Sequence, residues 1–209
     1  MPLRLRGKTS FLAFPYIYAM YDAIIQHISK FISLDQVEIE TIIGHLNFHQ
    51  LEKKEHLLKE GQICKTQYFI SKGCFRQYII NQKGAEQTIQ FGIENWWMTD
   101  YLSFQNHAPS KFFIQAIERS EVISIEKTAM DELLEKVPKL ERYFRLCLQK
   151  SFGASQVRIK YLFTMSATER FHHMNTMFPE FVQRVPQYML ASYLDFSPEL
   201  MSKIRVGKV

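Results

Sequence analysis

The stretch Pro186-Gln187-Tyr188-Met189-Leu190-Ala191-Ser192-Tyr193-Leu194-Asp195-Phe196-Ser197-Pro198-Glu199-Leu200-Met201-Ser202-Lys203-Ile204-Arg205 reads as two short helices joined by a tight turn. Tyr188, Leu190, Ala191 and Leu194 recur at helical spacing and supply a buried stripe for the first helix. Asp195 and Phe196 make the turn. Ser197 is a strong N-cap, Pro198 suits the first helical position, and Glu199 suits the first turn. Leu200, Met201 and Ile204 then turn inward, and Glu199, Ser202, Lys203 and Arg205 face outward. A small helix with a buried back and a polar, partly basic front is what a helix-turn-helix places in a DNA major groove. An ordinary helical hairpin has the same pattern, and this stretch alone leaves both readings open.

Upstream, Ser166-Ala167-Thr168-Glu169 is a capping box that opens a helix whose apolar stripe is Phe171, Met174, Met177 and Phe178, ended by Pro179. Before it, Pro138 opens a long helix that runs to about Phe163, since proline is tolerated at the first helical position and costly in the interior. Leu140, Phe144, Cys147, Ser151 and Ala154 form one seam of this helix; Leu148, Phe152, Ile159 and Leu162 form another. Two seams suit a helix that packs on its own domain on one side and on a twin helix on the other. The seam through Leu140, Phe144, Cys147 and Ala154 is assigned to the twin. A single wide core face fits the periodicity equally. Gly153 weakens the helix locally. Ahead of Pro138, Met130, Leu133, Leu134 and Val137 mark a short amphipathic helix, with Thr128 and Asp131 as its capping pair.

Further upstream the period changes to that of strands: Tyr68-Phe69-Ile70, Phe75 to Ile80, Thr88 to Phe91, Phe112 to Ala116 and Val122 to Ile125. Glycines at 61, 73, 84 and 92 punctuate these runs, and Gln82-Lys83-Gly84 is a hairpin tip. Short strands with turn signals at this spacing predict an antiparallel sandwich or barrel. The region from Tyr21 to Leu46 has helical spacing in two runs, broken at Ser33-Leu34-Asp35. Residues 1–19 look foreign to the rest: Arg4, Arg6 and Lys8 precede an apolar run interrupted by Pro15, with no clear cleavage site. They are read as a disordered extension or a mis-assigned start, with Met20 as the natural one.

The net charge of +5 is unevenly spread. Tyr21 to Pro138 holds 12 basic and 16 acidic residues, whereas Lys139 to Val209 holds 11 basic and 5 acidic. The basic part contains the candidate reading helix, as a nucleic-acid partner would require. Three scattered cysteines provide no disulfide framework and no paired-Cys metal site, so reduced thiols in cytoplasm are expected. No run of 18 apolar residues occurs, so no membrane span is expected. No Gly-rich phosphate loop, nucleophile elbow or His-Glu-x-x-His appears, and an enzyme is not expected.

The order of these parts, an α+β chain with an N-terminal helix pair, an antiparallel β-roll, a long helix and a terminal helix-turn-helix, is specific. With it go Leu57 to Gln62, Tyr68 to Arg76, Glu94-Asn95-Trp96-Trp97, Ser166 to Arg170, and Gln183-Arg184-Val185-Pro186 leading into Ser197 to Arg205. On these residues the chain resembles the Crp/Fnr superfamily of bacterial transcription regulators across nearly all of 20–209, most of all its short Bacteroidetes-type members. The resemblance implies a cyclic-nucleotide-binding-like jelly roll over 20–137, a dimerisation helix over 138–163 and a DNA-binding domain over 164–209. It implies a homodimer on double-stranded DNA, with Ser197, Pro198, Glu199, Ser202, Lys203 and Arg205 at the duplex and RNA polymerase as a further candidate partner.

A cyclic-nucleotide site in this family uses a Gly-Glu pair for the ribose and an Arg-Ser/Thr pair about ten residues on for the phosphate. Here Thr99 and Asp100 stand at the first pair, and Ser110 and Lys111 stand where the arginine belongs. A buried phosphodiester calls for a bidentate, permanently charged partner, so cyclic AMP is not the expected effector. Trp97, Thr99, Asp100, Tyr101, Ser110 and Lys111 remain the candidate pocket for an unidentified small molecule, or a closed loop with no ligand. An iron–sulfur cluster needs four cysteine ligands, and the chain has three. None of the seven histidines has a distinguishing context for haem; no metal or other cofactor is assigned. Only four residues follow Arg205, too few for a β-hairpin wing. The competing functional reading is a ligand-sensing or protein-interaction module whose helix-turn-helix is vestigial.

Overall fold

The structure is a computed structural model that describes residues 14–207, with side chains from 19 onward. Helix α1 (Phe14–Ser29) is followed by α2 (Gln36–Gly44), and Asp35 between them caps α2 in a full capping box with Glu38. The helix takes in residues 14–19, which the sequence reading had set outside the folded chain; the rest of that stretch lies outside the described residues.

Eight strands follow: β1 (Asn47–Leu51), β2 (His56–Leu58), β3 (Thr66–Lys72), β4 (Phe75–Ile80), β5 (Glu86–Gly92), β6 (Trp97–Met98), β7 (Phe113–Ala116) and β8 (Ser120–Glu126). They form two four-stranded sheets, ordered β1-β8-β3-β6 and β2-β7-β4-β5. In the first sheet β8 is central, antiparallel to β1 (Phe48 opposite Ile123) and to β3 (Phe69 opposite Ile123). The expected antiparallel roll is therefore present. All five strand-length runs, over β3, β4, β5, β7 and β8, and the hairpin tip at Gly84 fall where the sequence places them. Gly73 is indispensable: its φ is +107°, and a Cβ there would lie 2.1 Å from the Ser120 hydroxyl oxygen.

A six-residue helix, α3 (Tyr101–Asn106), interrupts the roll between β6 and β7. After β8 come α4 (Lys127–Lys136), α5 (Lys139–Thr164), α6 (Ala167–Met177), α7 (Pro179–Arg184), α8 (Gln187–Tyr193) and α9 (Pro198–Arg205). Thr128 does not cap α4. The helix begins one residue earlier, Glu126 at its N-cap makes no side-chain bond, and Asp131 pairs instead with Lys127. Pro179 ends α6 but also opens α7, a helix the sequence reading lacks. Met177 and Phe178 are exposed, so the α6 stripe closes at Phe171 and Met174.

The chain forms two compact units, neither continuous in sequence. One comprises the residues up to Phe75 with Gly92–Cys147; the other comprises Arg76–Phe91 with Leu148–Val209. In the first unit α1, α2, α4 and the start of α5 cover the β8–β3 face, burying Ile24, Ile28, Ile42, Phe69, Leu133 and Tyr143 together. A second cluster, with Phe75, Ile114 and Val122, fills the roll itself. In the second unit the β4–β5 hairpin, rather than any other part of the roll, accompanies the C-terminal helices.

Candidate nucleic-acid interface and effector loop

Ser197 begins α9 as the sequence requires. Its backbone is extended and its hydroxyl accepts the Leu200 N–H at 3.2 Å, with Pro198 next in the first turn. Met201 and Ile204 are buried beneath the helix, and Glu199, Ser202, Lys203 and Arg205 are exposed. The Glu199 carboxyl is held below the usual carboxylate range by hydrogen bonds, first from its own backbone N–H and then from Ser197. That carboxylate is thus engaged by its own helix start. Leu190, Ala191 and Leu194 of α8 pack inward as expected, joined by Met189; Tyr188 is exposed and leaves the stripe. The turn is achieved by Asp195 in the left-handed region, φ 60°.

Arg170 holds this turn from behind. Its Nε donates to the Leu194 carbonyl at 2.9 Å and its Nη1 to the Met165 carbonyl at 2.7 Å. One guanidinium thereby ties the end of α8 to the carbonyls left open after α5. Sequence reasoning placed Arg170 in a motif without a role. The capping box that fixes its helix, Ser166 with Glu169, was the available signal.

On α5 the burial of the two seams is the reverse of the expectation. Leu140 is buried in its own unit, and Phe144 and Cys147 pack against the same core, so three of the four residues assigned to a twin helix face inward. Ala154 alone of that set is exposed. The exposed apolar row is Leu148, Phe152 (66 %), Ile159 and Phe163 (86 %), at i, i+4, i+11 and i+15. The sequence pattern could not rank the seams because both are apolar; what decides is that α1 covers only one.

The effector loop is closed by its own side chains. Asp100, 4 % exposed, is the N-cap of α3. Its Oδ1 accepts the N–H groups of Leu102 (3.1 Å) and Ser103 (3.2 Å), and its Oδ2 accepts the Ser110 hydroxyl at 2.7 Å. Ser110, 2 % exposed, in turn accepts the Phe112 N–H at 3.0 Å. Thr99 donates to the Thr66 carbonyl, and the Ser103 hydroxyl accepts the Cys64 N–H. The loop therefore joins Thr99, Asp100 and Ser110 in one network, while Tyr101 and Lys111 are exposed outside it. Trp97 belongs elsewhere: its indole N–H donates to the Tyr143 hydroxyl of α5 at 2.8 Å. The same hydroxyl lies 2.8 Å from Nδ1 of His27, and burial pushes Tyr143 far above its ordinary pKa so that it stays a neutral phenol. Among the described residues no group of three His, Cys, Asp or Glu is placed to hold a metal ion, and no helix is long and apolar enough to cross a membrane.

Comparison with known proteins agrees with a roll of this topology. Residues 48–137 match the cyclic nucleotide-binding domain family. Electron transport regulator A of Shewanella oneidensis is 30 % identical over 122 residues, 57 % of this chain and 47 % of that protein. The anaerobic regulatory protein of Haemophilus influenzae is 26 % identical over 169 residues, 74 % of this chain and 63 % of that protein. The chain thus spans about half to two-thirds of the length of these relatives. Among solved structures, the regulator CLP of Xanthomonas campestris superposes with a TM-score of 0.68 at 16 % identity, covering 83 % of this chain and 91 % of that one. FixK2 of Bradyrhizobium japonicum gives 0.64 at 14 % identity, covering 78 % and 83 %. The chain therefore carries a cyclic nucleotide-binding domain over residues 48–137 and is similar to transcription regulators of the Crp/Fnr type. The Shewanella oneidensis and Haemophilus influenzae relatives are both named as regulators.

Proposed function

We propose that the chain is a DNA-binding transcription regulator that acts as a homodimer in the cytoplasm and reads a two-fold operator through α9. The observation that carries this reading is the α8–α9 pair: Ser197 starts the second helix, Met201 and Ile204 anchor it, and Ser202, Lys203 and Arg205 stand free of the core on its outer face. The basic balance after Lys139 supplies the phosphate attraction that most non-specific binding requires. Pairing through Leu148, Phe152, Ile159 and Phe163 would bury an apolar row that water otherwise covers, and a two-fold dimer sets two reading helices roughly 34 Å apart. RNA polymerase remains the partner implied for a regulator of this kind.

The effector is not cyclic AMP in this reading. No arginine stands at 110 or 111, and Asp100 already takes up the donors around the loop. A ligand at 100 times its dissociation constant would add about 2.7 kcal/mol of stability. Millimolar cyclic AMP is expected to leave the melting temperature unchanged, and a clear rise would overturn this part.

The test of the whole is capture of genomic fragments by the purified chain, followed by mobility shifts at several salt concentrations. A recurrent two-fold sequence, with affinity falling steeply as salt rises, supports the reading. No enrichment and no salt-dependent shift would leave the chain as a sensing or interaction module.

A further inference from the structure

Within the second unit, strand β5 grips the helix-turn-helix at one residue. The Ser192 hydroxyl donates to the Glu86 carbonyl at 3.1 Å and accepts the Thr88 N–H at 2.8 Å, and the Ser192 carbonyl accepts the Gln87 side-chain amide. Beside this catch, Phe91 meets the rings of Tyr193 and Phe181 edge-on, at 5.1 and 5.2 Å between centroids. Arg158 of α5 lies over the Tyr193 ring and donates to its carbonyl at 2.9 Å. The contact is costly as well as specific. The Thr88 hydroxyl, fully buried, and Nε of Arg158 are both without a hydrogen-bond partner. Buried polar groups are nearly always satisfied in a permanent core, and two orphans at one junction mark an arrangement that water can relieve when it opens.

We propose that the β4–β5 hairpin is a releasable latch on the helix-turn-helix, with Ser192 as its catch. Closed, it fixes the end of α8, and with it the turn that aims α9. Open, it frees both orphaned groups to water and lets the reader move. The geometry gives the hairpin a direct hold on the reader through one serine, and whatever displaces the hairpin releases α8. This inference rests on the reading of α8 and α9 as the DNA reader.

Native-state hydrogen exchange on the full chain tests it without DNA. In the wild type, the Thr88 amide and the α8 amides are expected to open as one unit, well below the denaturant concentration that opens β8. Ser192→Ala removes both hydroxyl bonds, and Gln87→Ala removes only the amide bond from a half-exposed strand position. Gln87→Ala should speed that shared opening about fivefold, the loss expected for one net hydrogen bond, and Ser192→Ala, which removes two, about 25-fold, with α2 and β8 unchanged. Opening of α8 only together with β8, or unchanged rates in both variants, would overturn the latch. A second arm adds non-specific duplex DNA. If duplex binds and the Thr88 amide does not respond, the latch does not serve the reader and the proposal falls. If the duplex does not bind while the shared opening is seen, it is the DNA reading that falls.

Discussion

Replacing Asp100 with alanine tests how the effector loop is held. The carboxylate carries three bonds: two N–H groups at the start of α3, at 3.1 and 3.2 Å, and the Ser110 hydroxyl at 2.7 Å. Loss of an N-cap acceptor costs about 1 kcal/mol. Ser110 is buried, so stripping its charged partner costs about 1–3 kcal/mol. The low end of that range applies, because the Phe112 carbonyl at 3.2 Å is a second acceptor for the same hydroxyl. The sum is roughly 2–3 kcal/mol. For a chain of this size each kcal/mol moves the melting temperature by about 2–4 °C, so Asp100→Ala should melt roughly 4–12 °C lower. Urea unfolding of the wild type, Asp100→Ala, Ser110→Ala and the double variant gives the coupling between the two side chains, expected at about 1 kcal/mol. An Asp100→Ala protein within about 0.5 kcal/mol of the wild type, in the range of an ordinary surface substitution, would refute the closed-loop account.

Phe152→Glu should give a monomer in sedimentation and an unfolding midpoint that no longer depends on protein concentration; a persistent dimer would place the interface elsewhere. On the captured operator, Lys203→Ala should cost about 1–3 kcal/mol and relax preference at one base per half-site. Arg205→Ala should instead weaken all sequences alike and lower the salt slope by about one unit, both read from binding curves at several salt concentrations. The capping box of α6 should respond to acid. Glu169 is held below its ordinary pKa by hydrogen bonds from Ser166, so the stabilisation is present above the unfolded carboxylate range and is lost as pH falls through the lower folded value. The Ser166 and Glu169 amides should shift in an NMR titration below about pH 4.5, the ordinary value for glutamate, and not above it.

Most of the architecture was legible because it is written in local chemistry. The strand runs carry their period-two pattern and glycine turns, and Ser166 and Ser197 announce their helices by side chains that cap within three residues. The misses share a cause, which is that the deciding partner lies far away in sequence. Leu140 and Leu148 are equally apolar, and only the N-terminal helices determine which seam of α5 is covered. Asp100 looks like a ribose-binding acid until Ser110, ten residues on, is seen to occupy it. Ser192 has no sequence signal, because its partners are backbone groups of Glu86 and Thr88. Strands β2 and β6, of three and two residues, are too short for any periodicity.

The pairing of Phe91 with Phe181 and Tyr193 has a consequence for how the protein is made. Ninety residues separate Phe91 from Phe181, and at about 5–20 residues per second the ribosome needs roughly 5–20 s to deliver the second partner after the first. Throughout that interval the hairpin waits with an aromatic face uncovered, so nascent chains stalled before residue 181 should recruit chaperones that full-length chains do not. The same arithmetic governs dissection of the gene. A fragment that starts at Leu148 carries every helix of the reader but none of residues 76–91, and it would leave Tyr193 and Ser192 facing water. A transplantable reader therefore has to be cut from two places in the coding sequence and spliced.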